Sequence, residues 1–222
     1  MRRPQVVMFD VNETLSDTAA LTARFEEVGA PGHLAATWFA QVLRDGFALT
    51  ATGDNAPFAT IADALLDDAL SGVKLTRADE DARSYLLDSF AAIPLHPDVA
   101  PGLQALAAAG QRLVTLTNGA QTSSARLLAA AGVDGLVEHL LSVEDAPTWK
   151  PGPSSYRWAA EQCSVEPSKV MLVAVHPWDI HGAHHAGLRT GWVNRDSRPY
   201  PSHFAAPDLE VTSVVDLARH LD

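Results

Sequence analysis

The sequence predicts an α/β fold in which a mostly parallel, doubly wound sheet carries helices on both faces and a helical cap is inserted after the first strand. Short apolar runs rich in Val and Leu recur along the chain, and from residue 112 onward helical patterns separate them. Between residues 21 and 95 no comparable run occurs. Continuous apolar strands that alternate with helices are typical of a parallel sheet covered on both faces.

The order of the predicted elements divides the chain into a sheet-forming core and a helical insertion. Six strands are predicted, at Gln5 to Phe9, Arg112 to Leu116, His139 to Val143, Val170 to Val175, Thr190 to Asn194 and Leu209 to Val211. Four helical patterns fill the insertion, at 21–28, 34–49, 58–70 and 78–90, with a loop at 51–57 between the second and third. We therefore expect a Rossmann-like core at 1–15 and 96–222 and a helical cap domain at 16–95.

Composition excludes several classes of partner. The net charge is −11, and no run of Lys or Arg offers a basic patch, so nucleic acid and membrane surfaces are not expected to bind. The apolar run at residues 6–9 is too brief for a signal peptide, and no apolar segment reaches 18 residues, which favours a cytoplasmic protein. A homodimer is the expected assembly, because dimers are the commonest homo-oligomers.

Polar residues follow the predicted strands where a parallel sheet forms its ligand crevice. They are Asp10 and Thr14 after the first strand, Thr117 and Asn118 after the second, Lys150 in a later loop, and Asp179 after the fourth. A carboxylate at Asp10 can act as a nucleophile, and Lys150 would keep it ionised. Hydroxyl and amide groups at Thr117 and Asn118 can hold a developing oxyanion. Asp179 can orient the lysine or bind a cation.

These residues resemble the four motifs of the haloacid dehalogenase-like hydrolase superfamily: an Asp after strand one, a Ser or Thr, a Lys, and an Asp after strand four. All four occur in order, and the helical insertion matches the cap of that superfamily. Phosphatases of the superfamily place a second Asp two residues after the nucleophile, where this chain has Asn12. Because an amide cannot protonate an alkoxide leaving group and a halide needs no proton, Asn12 favours dehalogenation.

The stretches Lys150-Pro151 with Tyr156, Trp178-Asp179 and Gly191 to Arg195 are similar to the 2-haloacid dehalogenases. That resemblance implies hydrolysis of an S-configured 2-haloacid to the R-configured 2-hydroxyacid, through an ester on Asp10, without a metal or organic cofactor. Two alternatives stay open. One is a Mg²⁺-dependent phosphatase, with the ion held by Asp10, Asp179 and the carbonyl of residue 12; the other is a binding protein that has lost catalysis.

The chain departs from that family at three places. Asn12 stands where Tyr is usual, Ala174-Val175-His176 replaces Ser-Ser-Asn, and Trp38-Phe39 stands where an Arg that binds halide commonly follows the Trp. Arg44 is the nearest replacement for that arginine, or a solvated helix charge. His176 either acts in the site, by donating to the substrate or helping to activate water, or has only a structural role.

Aromatic side chains are the other candidates for contact with substrate. Trp38, Phe39, Phe58 and Trp178 either wall an apolar pocket around Asp10 or pack in the core. The three histidines at 181, 184 and 185 have helical spacing, but no ligand motif frames them, and no metal site is expected.

Overall fold

The computed structural model describes residues 3–221, so the first two residues and the last, all assigned by prediction to the core, lie outside it. Its sheet has six parallel strands in the order β3-β2-β1-β4-β5-β6. They are β1 (Val6–Phe9), β2 (Arg112–Thr117), β3 (His139–Ser142), β4 (Val170–Ala174), β5 (Arg189–Val193) and β6 (Leu209–Val211). The predicted parallel α/β fold is confirmed, and β1 lies between β2 and β4, so their carboxyl ends meet at one edge.

Nine helices are present in the described range. The insertion holds α1 (Leu21–Glu27), α2 (Leu34–Thr52), α3 (Phe58–Leu70) and α4 (Asp79–Ala91). The rest are α5 (Val99–Ala108), α6 (Gln121–Ala130), α7 (Pro153–Gln162), α8 (Pro177–His185) and α9 (Val214–Leu221). None of the helices within residues 3–221 combines the length and the apolar character that a bilayer crossing needs.

The strands are apolar throughout because both faces of the sheet are buried. On β1, Val6 and Met8 belong to a cluster that includes residues of α7, α8 and the cap, whereas Val7 and Phe9 belong to a second cluster with residues of α5 and α9. Successive side chains therefore enter different cores, as the alternation of a strand requires.

The cap segment leaves and rejoins the core at one point, where Ser16 and Leu95 form an antiparallel bridge. Helix α2 runs to Thr52, beyond the predicted end at residue 49, and stops at Gly53, whose φ of 81° only glycine adopts readily. The predicted loop therefore begins later than expected. The division of the chain at 15/16 and 95/96 stays a prediction.

Trp149, the residue before Lys150, contacts two residues of the cap and so joins the cap to the core. Its indole is fully buried, and its Nε1 donates to the Ala56 carbonyl at 3.0 Å. The ring packs against Gly46 of α2, where a Cβ would come within 2.3 Å of the indole. The absence of a side chain at Gly46 is thus what lets α2 approach this loop.

Candidate active site

Asp10 lies at the carboxyl end of β1, and its side chain is 5% exposed. Lys150 Nζ donates to Oδ1 at 2.8 Å, and Thr14 Oγ1 donates to Oδ2 at 2.6 Å. The Thr14 oxygen also accepts from the Val175 N–H at 3.1 Å, which directs the hydroxyl proton toward the carboxylate. The turn after β1 therefore brings Asp10 and Thr14 together, as their spacing predicted.

Lys150 joins two carboxylates in the interior. Its ammonium is fully buried and also donates to Asp179 Oδ2 at 2.6 Å, while the Tyr156 hydroxyl donates to Asp179 Oδ1 at 2.6 Å. Tyr156 is fully buried too, so its hydroxyl supports Asp179 from behind. Tyr156 was predicted to contact substrate, but in the structure Asp179 and Lys150 lie between its hydroxyl and Asp10.

Close approach of α8 makes this arrangement possible. A Cβ at Gly182 would lie 2.7 Å from both the Pro151 Cβ and the Tyr156 hydroxyl oxygen. Glycine at this position lets the helix that carries Asp179 pack directly on the loop that carries Lys150.

The loop after β2 holds Lys150 in position. Asn118 Nδ2 donates to the Lys150 carbonyl at 3.1 Å, and the Lys150 N–H donates to Asn118 Oδ1 at 3.0 Å. The predicted oxyanion donor thus has both ends of its amide engaged with the lysine main chain. Thr117 Oγ1 accepts from the Gly119 N–H at 2.9 Å and keeps its own proton available for donation.

Electrostatic interactions keep the Asp10 carboxylate ionised. Burial raises the pKa of Asp10, but the Lys150 ammonium and the hydrogen bond from His176 outweigh it and hold that pKa well below its ordinary value. Burial lowers the pKa of Lys150, but the two adjacent carboxylates raise it above its ordinary value. Burial raises the pKa of Asp179, an effect that Lys150 opposes. Asp10 is consequently an ionised carboxylate in a nearly dry site.

His176 lies between two carboxylates. Its Nδ1 is 3.2 Å from Asp10 Oδ2, and its Nε2 is 2.7 Å from Glu13 Oε2. Burial lowers the pKa of His176, but the hydrogen bonds to Asp10 and Glu13 prevail and raise it to about 9. Glu13 was missed by the sequence analysis. A positive φ of 62° in the turn after β1 marks its unusual position, but no pattern in the sequence reveals it.

Trp178 connects the core group to the cap. Its ring stacks on His176 at 4.9 Å, lies 5.9 Å from Lys150 Nζ and meets Phe47 of α2 edge-on at 5.0 Å. Phe47 was not among the predicted residues. These contacts place Trp178 beside His176 and Lys150, between the Asp10 group and the cap.

The predicted cap residues separate into two sets. Phe58 reaches the boundary with the core, where it lines a cavity together with Asn12 and Thr117, and Phe39 packs beside it with ring centroids 6.3 Å apart. Trp38, by contrast, is fully buried inside the cap, and its Nε1 donates to the Ala62 carbonyl at 2.9 Å. The structure therefore places Trp38 in the core of the cap.

Arg44 also stays apart from the Asp10 group. Its side chain is 63% exposed, and its Nε donates to Asp45 Oδ1 at 2.7 Å. The structure places it on the solvent side of α2, where it reaches neither Asp10 nor the aromatic face of the cap. The alternative kept open for Arg44, a solvated helix charge, matches this placement.

The two carboxylates of the site already face a cation of the chain itself. The Lys150 ammonium lies between Asp10 and Asp179, the two carboxylates to which the phosphatase alternative assigns Mg²⁺. Across residues 3–221, no group of three His, Cys, Asp or Glu side chains is arranged to hold a metal ion. His181 Nδ1 accepts from the Ala205 N–H at 3.0 Å, so its ring is engaged by the main chain.

The fold and the site together define an α/β protein with a helical insertion after its first strand and a buried, ionised carboxylate at the end of that strand. A model of the haloacid dehalogenase-like hydrolase family matches residues 4–187. (S)-2-haloacid dehalogenase 1 of Pseudomonas sp. (strain CBS-3) is 30% identical over 216 residues, which cover 96% of this chain and 95% of that protein. The chain belongs to the haloacid dehalogenase-like hydrolase family, which confirms the resemblance seen in its motifs.

Two further relatives extend over the whole chain. Haloacetate dehalogenase H-2 of Moraxella sp. (strain B) is 27% identical and covers 100% of this chain and 99% of that protein. A crystal structure of a dehalogenase with an intermediate complex superposes with a TM-score of 0.91 at 27% identity, covering 100% of this chain and 98% of that one. The cap and core of the chain therefore have counterparts in a single solved dehalogenase.

Proposed function

We propose that this protein hydrolyses a small 2-haloacid to the 2-hydroxyacid through an ester on Asp10. The observation that carries the proposal is the ionised Asp10 carboxylate, bonded to Lys150 and Thr14, in a site where position 12 is an amide. The ionised Asp10 can act as a nucleophile, whereas Asn12 stands at the position where phosphatases of the superfamily have the acid that protonates an alkoxide leaving group. The dehalogenases among the relatives support the same chemistry.

In the first half-reaction an Asp10 oxygen attacks the carbon that bears the halogen. The new C–O bond forms as the C–halogen bond breaks, and the halide leaves with the electron pair. Lys150 keeps Asp10 ionised, and the Thr14 hydroxyl holds one carboxylate oxygen so that the other is oriented for attack. We assign Thr117 to hydrogen bonding with the substrate, because its hydroxyl proton faces no described acceptor.

In the second half-reaction we assign His176 as the base that activates water. In the free enzyme its raised pKa keeps the imidazole protonated between Asp10 and Glu13. Ester formation removes the negative charge of Asp10, and with it one of the two carboxylates that raise the pKa of His176. The imidazole can then release its proton to solvent, and the step that makes the intermediate also makes the base for its hydrolysis.

Glu13 is assigned as the positioning residue for this base. It holds Nε2 of the ring at 2.7 Å while Nδ1 faces the Asp10 carboxyl group. Water attacks the carboxyl carbon of Asp10, His176 takes the water proton, and the ammonium of Lys150 stabilises the oxyanion. Collapse breaks the ester C–O bond, and the departing alkoxide takes the proton from His176 to become the 2-hydroxyacid. The carboxylic acid left at Asp10 then passes its proton to His176, which restores the ionised Asp10 and the protonated imidazole.

Asn12, Phe58 and Trp178 are assigned to substrate binding, since each lies at the boundary between the core site and the cap. Asn118 is assigned to positioning Lys150, and Asp179 and Tyr156 to fixing its ammonium. Phe39 supports Phe58 from within the cap.

A halide-release screen tests the function directly. Fluoro-, chloro- and bromo-substituted 2-haloacids are incubated with the enzyme beside a panel of phosphate esters, each with excess EDTA or with Mg²⁺. Release of halide that EDTA leaves unchanged is expected, because no step calls on a cation other than Lys150. Phosphate release that depends on Mg²⁺, without halide release, would favour the phosphatase alternative.

The cytoplasmic location and the homodimer remain proposals from composition and from the frequency of dimers. Light scattering of the purified protein would decide the assembly.

A further inference from the structure

A partly open cavity lies beside the loop that follows β1, between the core and the cap. It is lined on the core side by Val11, Asn12, Thr117 and Gly119, and on the cap side by residues of α3 and α4 that include Phe58 and Phe90. Val11 and Asn12 directly follow Asp10 in the chain, and Thr117 ends the neighbouring strand β2, so the cavity lies next to residues that flank Asp10. Its volume is about 160 Å³.

The walls of this cavity are largely apolar and uncharged, and small residues leave space within it. No Asp, Glu, Lys, Arg or His belongs to the lining, whereas Ala59, Ala62, Ala91 and Ala120 do. An anionic group placed here would lose its hydration without a cation to replace it. The carboxylate and the leaving halide of a haloacid are therefore poor occupants, and an uncharged part of the substrate is the better one.

One polar atom of the lining lacks a partner. Ser124 is 1% exposed, and its Oγ has no hydrogen-bond partner within residues 3–221. Buried hydroxyl groups are normally hydrogen-bonded, so Ser124 leaves one unpaired polar atom in a lining that is otherwise largely apolar. The size of the space is informative as well, since an apolar cavity of about 150 Å³ in another protein accommodates benzene.

We propose that this cavity binds an apolar substituent on the halogen-bearing carbon, so that the preferred substrates are 2-haloacids with a branched alkyl or phenyl group. The proposal rests on the proposed function and specifies its substrate class. Ala91 of α4 is the specificity-determining position that tests it, since a larger side chain there would fill the space. Ala92 provides a matched control, because it is exposed and does not line the cavity.

The experiment compares 2-chloropropionate with 2-chloro-2-phenylacetate on the wild type, Ala91→Leu and Ala92→Leu. We expect kcat/KM of the wild type to favour the phenyl substrate by about tenfold or more, as added apolar contact in a pocket does. Ala91→Leu should lower kcat/KM for the phenyl substrate by about tenfold or more and affect the methyl substrate much less. Ala92→Leu should match the wild type.

A binding measurement separates failure of this proposal from failure of the proposed function. Phenylacetate and acetate, which carry no halogen, are titrated into the same three proteins by calorimetry. If no haloacid is hydrolysed but phenylacetate binds more tightly than acetate and Ala91→Leu abolishes the difference, the cavity assignment stands without dehalogenation. Hydrolysis with a preference for the methyl substrate, or equal effects of Ala91→Leu on both substrates, would overturn the cavity assignment alone.

Discussion

The two sides of the crevice differ in almost every physical property. The core side presents buried charges, with Asp10, Lys150 and Asp179 linked by hydrogen bonds of 2.6–2.8 Å. The cap side presents aromatic rings, with Phe58 stacked on Phe90 at 5.4 Å. Three cap arginines, Arg24, Arg44 and Arg83, pair with carboxylates of the cap itself instead of reaching the crevice.

This difference assigns chemistry to the core and selectivity to the cap. Buried charges have to be paired and fixed, and such groups tolerate little change. Apolar walls tolerate replacement by other apolar residues, because their contact energy depends on shape and area. Replacements on the core side should therefore alter turnover, whereas replacements on the cap side should alter substrate preference and stability.

Replacement of the nucleophile is the most severe test of the core side. Asp10→Asn should lower kcat by about 10⁴-fold or more, because no ester can form. The covalent route has a separate signature in a single turnover in ¹⁸O water with enzyme in excess. The first product should be largely unlabelled, and mass spectrometry should find the label on the peptide that contains Asp10. Label in the first product and none on that peptide would reduce Asp10 to a general base.

Lys150 and Arg44 contrast a buried cation with an exposed one. Lys150→Ala leaves two buried carboxylates without their shared partner, so we expect a large loss of kcat and a loss of about 3–5 kcal/mol in unfolding free energy. Arg44→Ala should change unfolding free energy by less than about 0.5 kcal/mol and leave kcat near the wild-type value, since its side chain is 63% exposed. Urea unfolding and initial rates measure both. Similar losses of kcat would show that Arg44 acts in the site.

Kinetics can separate the contribution of His176, the base assigned to the second half-reaction, from that of the first half-reaction. His176→Gln should slow hydrolysis of the ester by about 10²–10⁴-fold, the usual contribution of a general base. The ester on Asp10 should then accumulate after a burst of halide release, detectable by rapid quench and mass spectrometry. Glu13→Gln should give a smaller defect of the same kind, because it disturbs only the orientation of the ring. A variant that slows the burst itself would place His176 in the first half-reaction.

The pH dependence of stability tests the same histidine without turnover. The pKa of His176 is raised to about 9 in the folded protein, from an ordinary value of 6.5. The stabilisation from its protonated form is therefore fully present below pH 6.5 and is lost as pH rises toward 9. The difference in unfolding free energy between the wild type and His176→Gln should shrink over that interval. A difference that stays constant from pH 6 to pH 9 would contradict the paired, protonated histidine.

Of these changes, we expect the smallest effect from one that weakens the contact between the cap and the core. Gly46→Ala would bring a Cβ within 2.3 Å of the Trp149 ring, so we expect a loss of about 1–3 kcal/mol in unfolding free energy from overpacking. Gly135→Ala is the matched control, because open space surrounds that position and it should be nearly neutral. If the two variants have equal stability, the cap does not depend on this contact.

The strands could be predicted almost residue by residue, because each is a short apolar run buried on both faces. The predicted and observed bounds agree within one residue for all six strands of the described range. Helix α2 was less well predicted at its end, since the pattern there did not show that the backbone turns at Gly53. Helical spacing also left open whether Arg44 faces the crevice or solvent.

The catalytic set illustrates the division between sequence and structure. The sequence alone determined that Asp10, Thr117, Lys150 and Asp179 follow strands or their loops, because the ends of parallel strands converge wherever the sheet forms. Only the tertiary structure decided that His176 pairs with Glu13, that Tyr156 supports Asp179, and that Trp149 joins the cap to the core. Those contacts join residues far apart in the chain and depend on how separate elements pack, which no local pattern records.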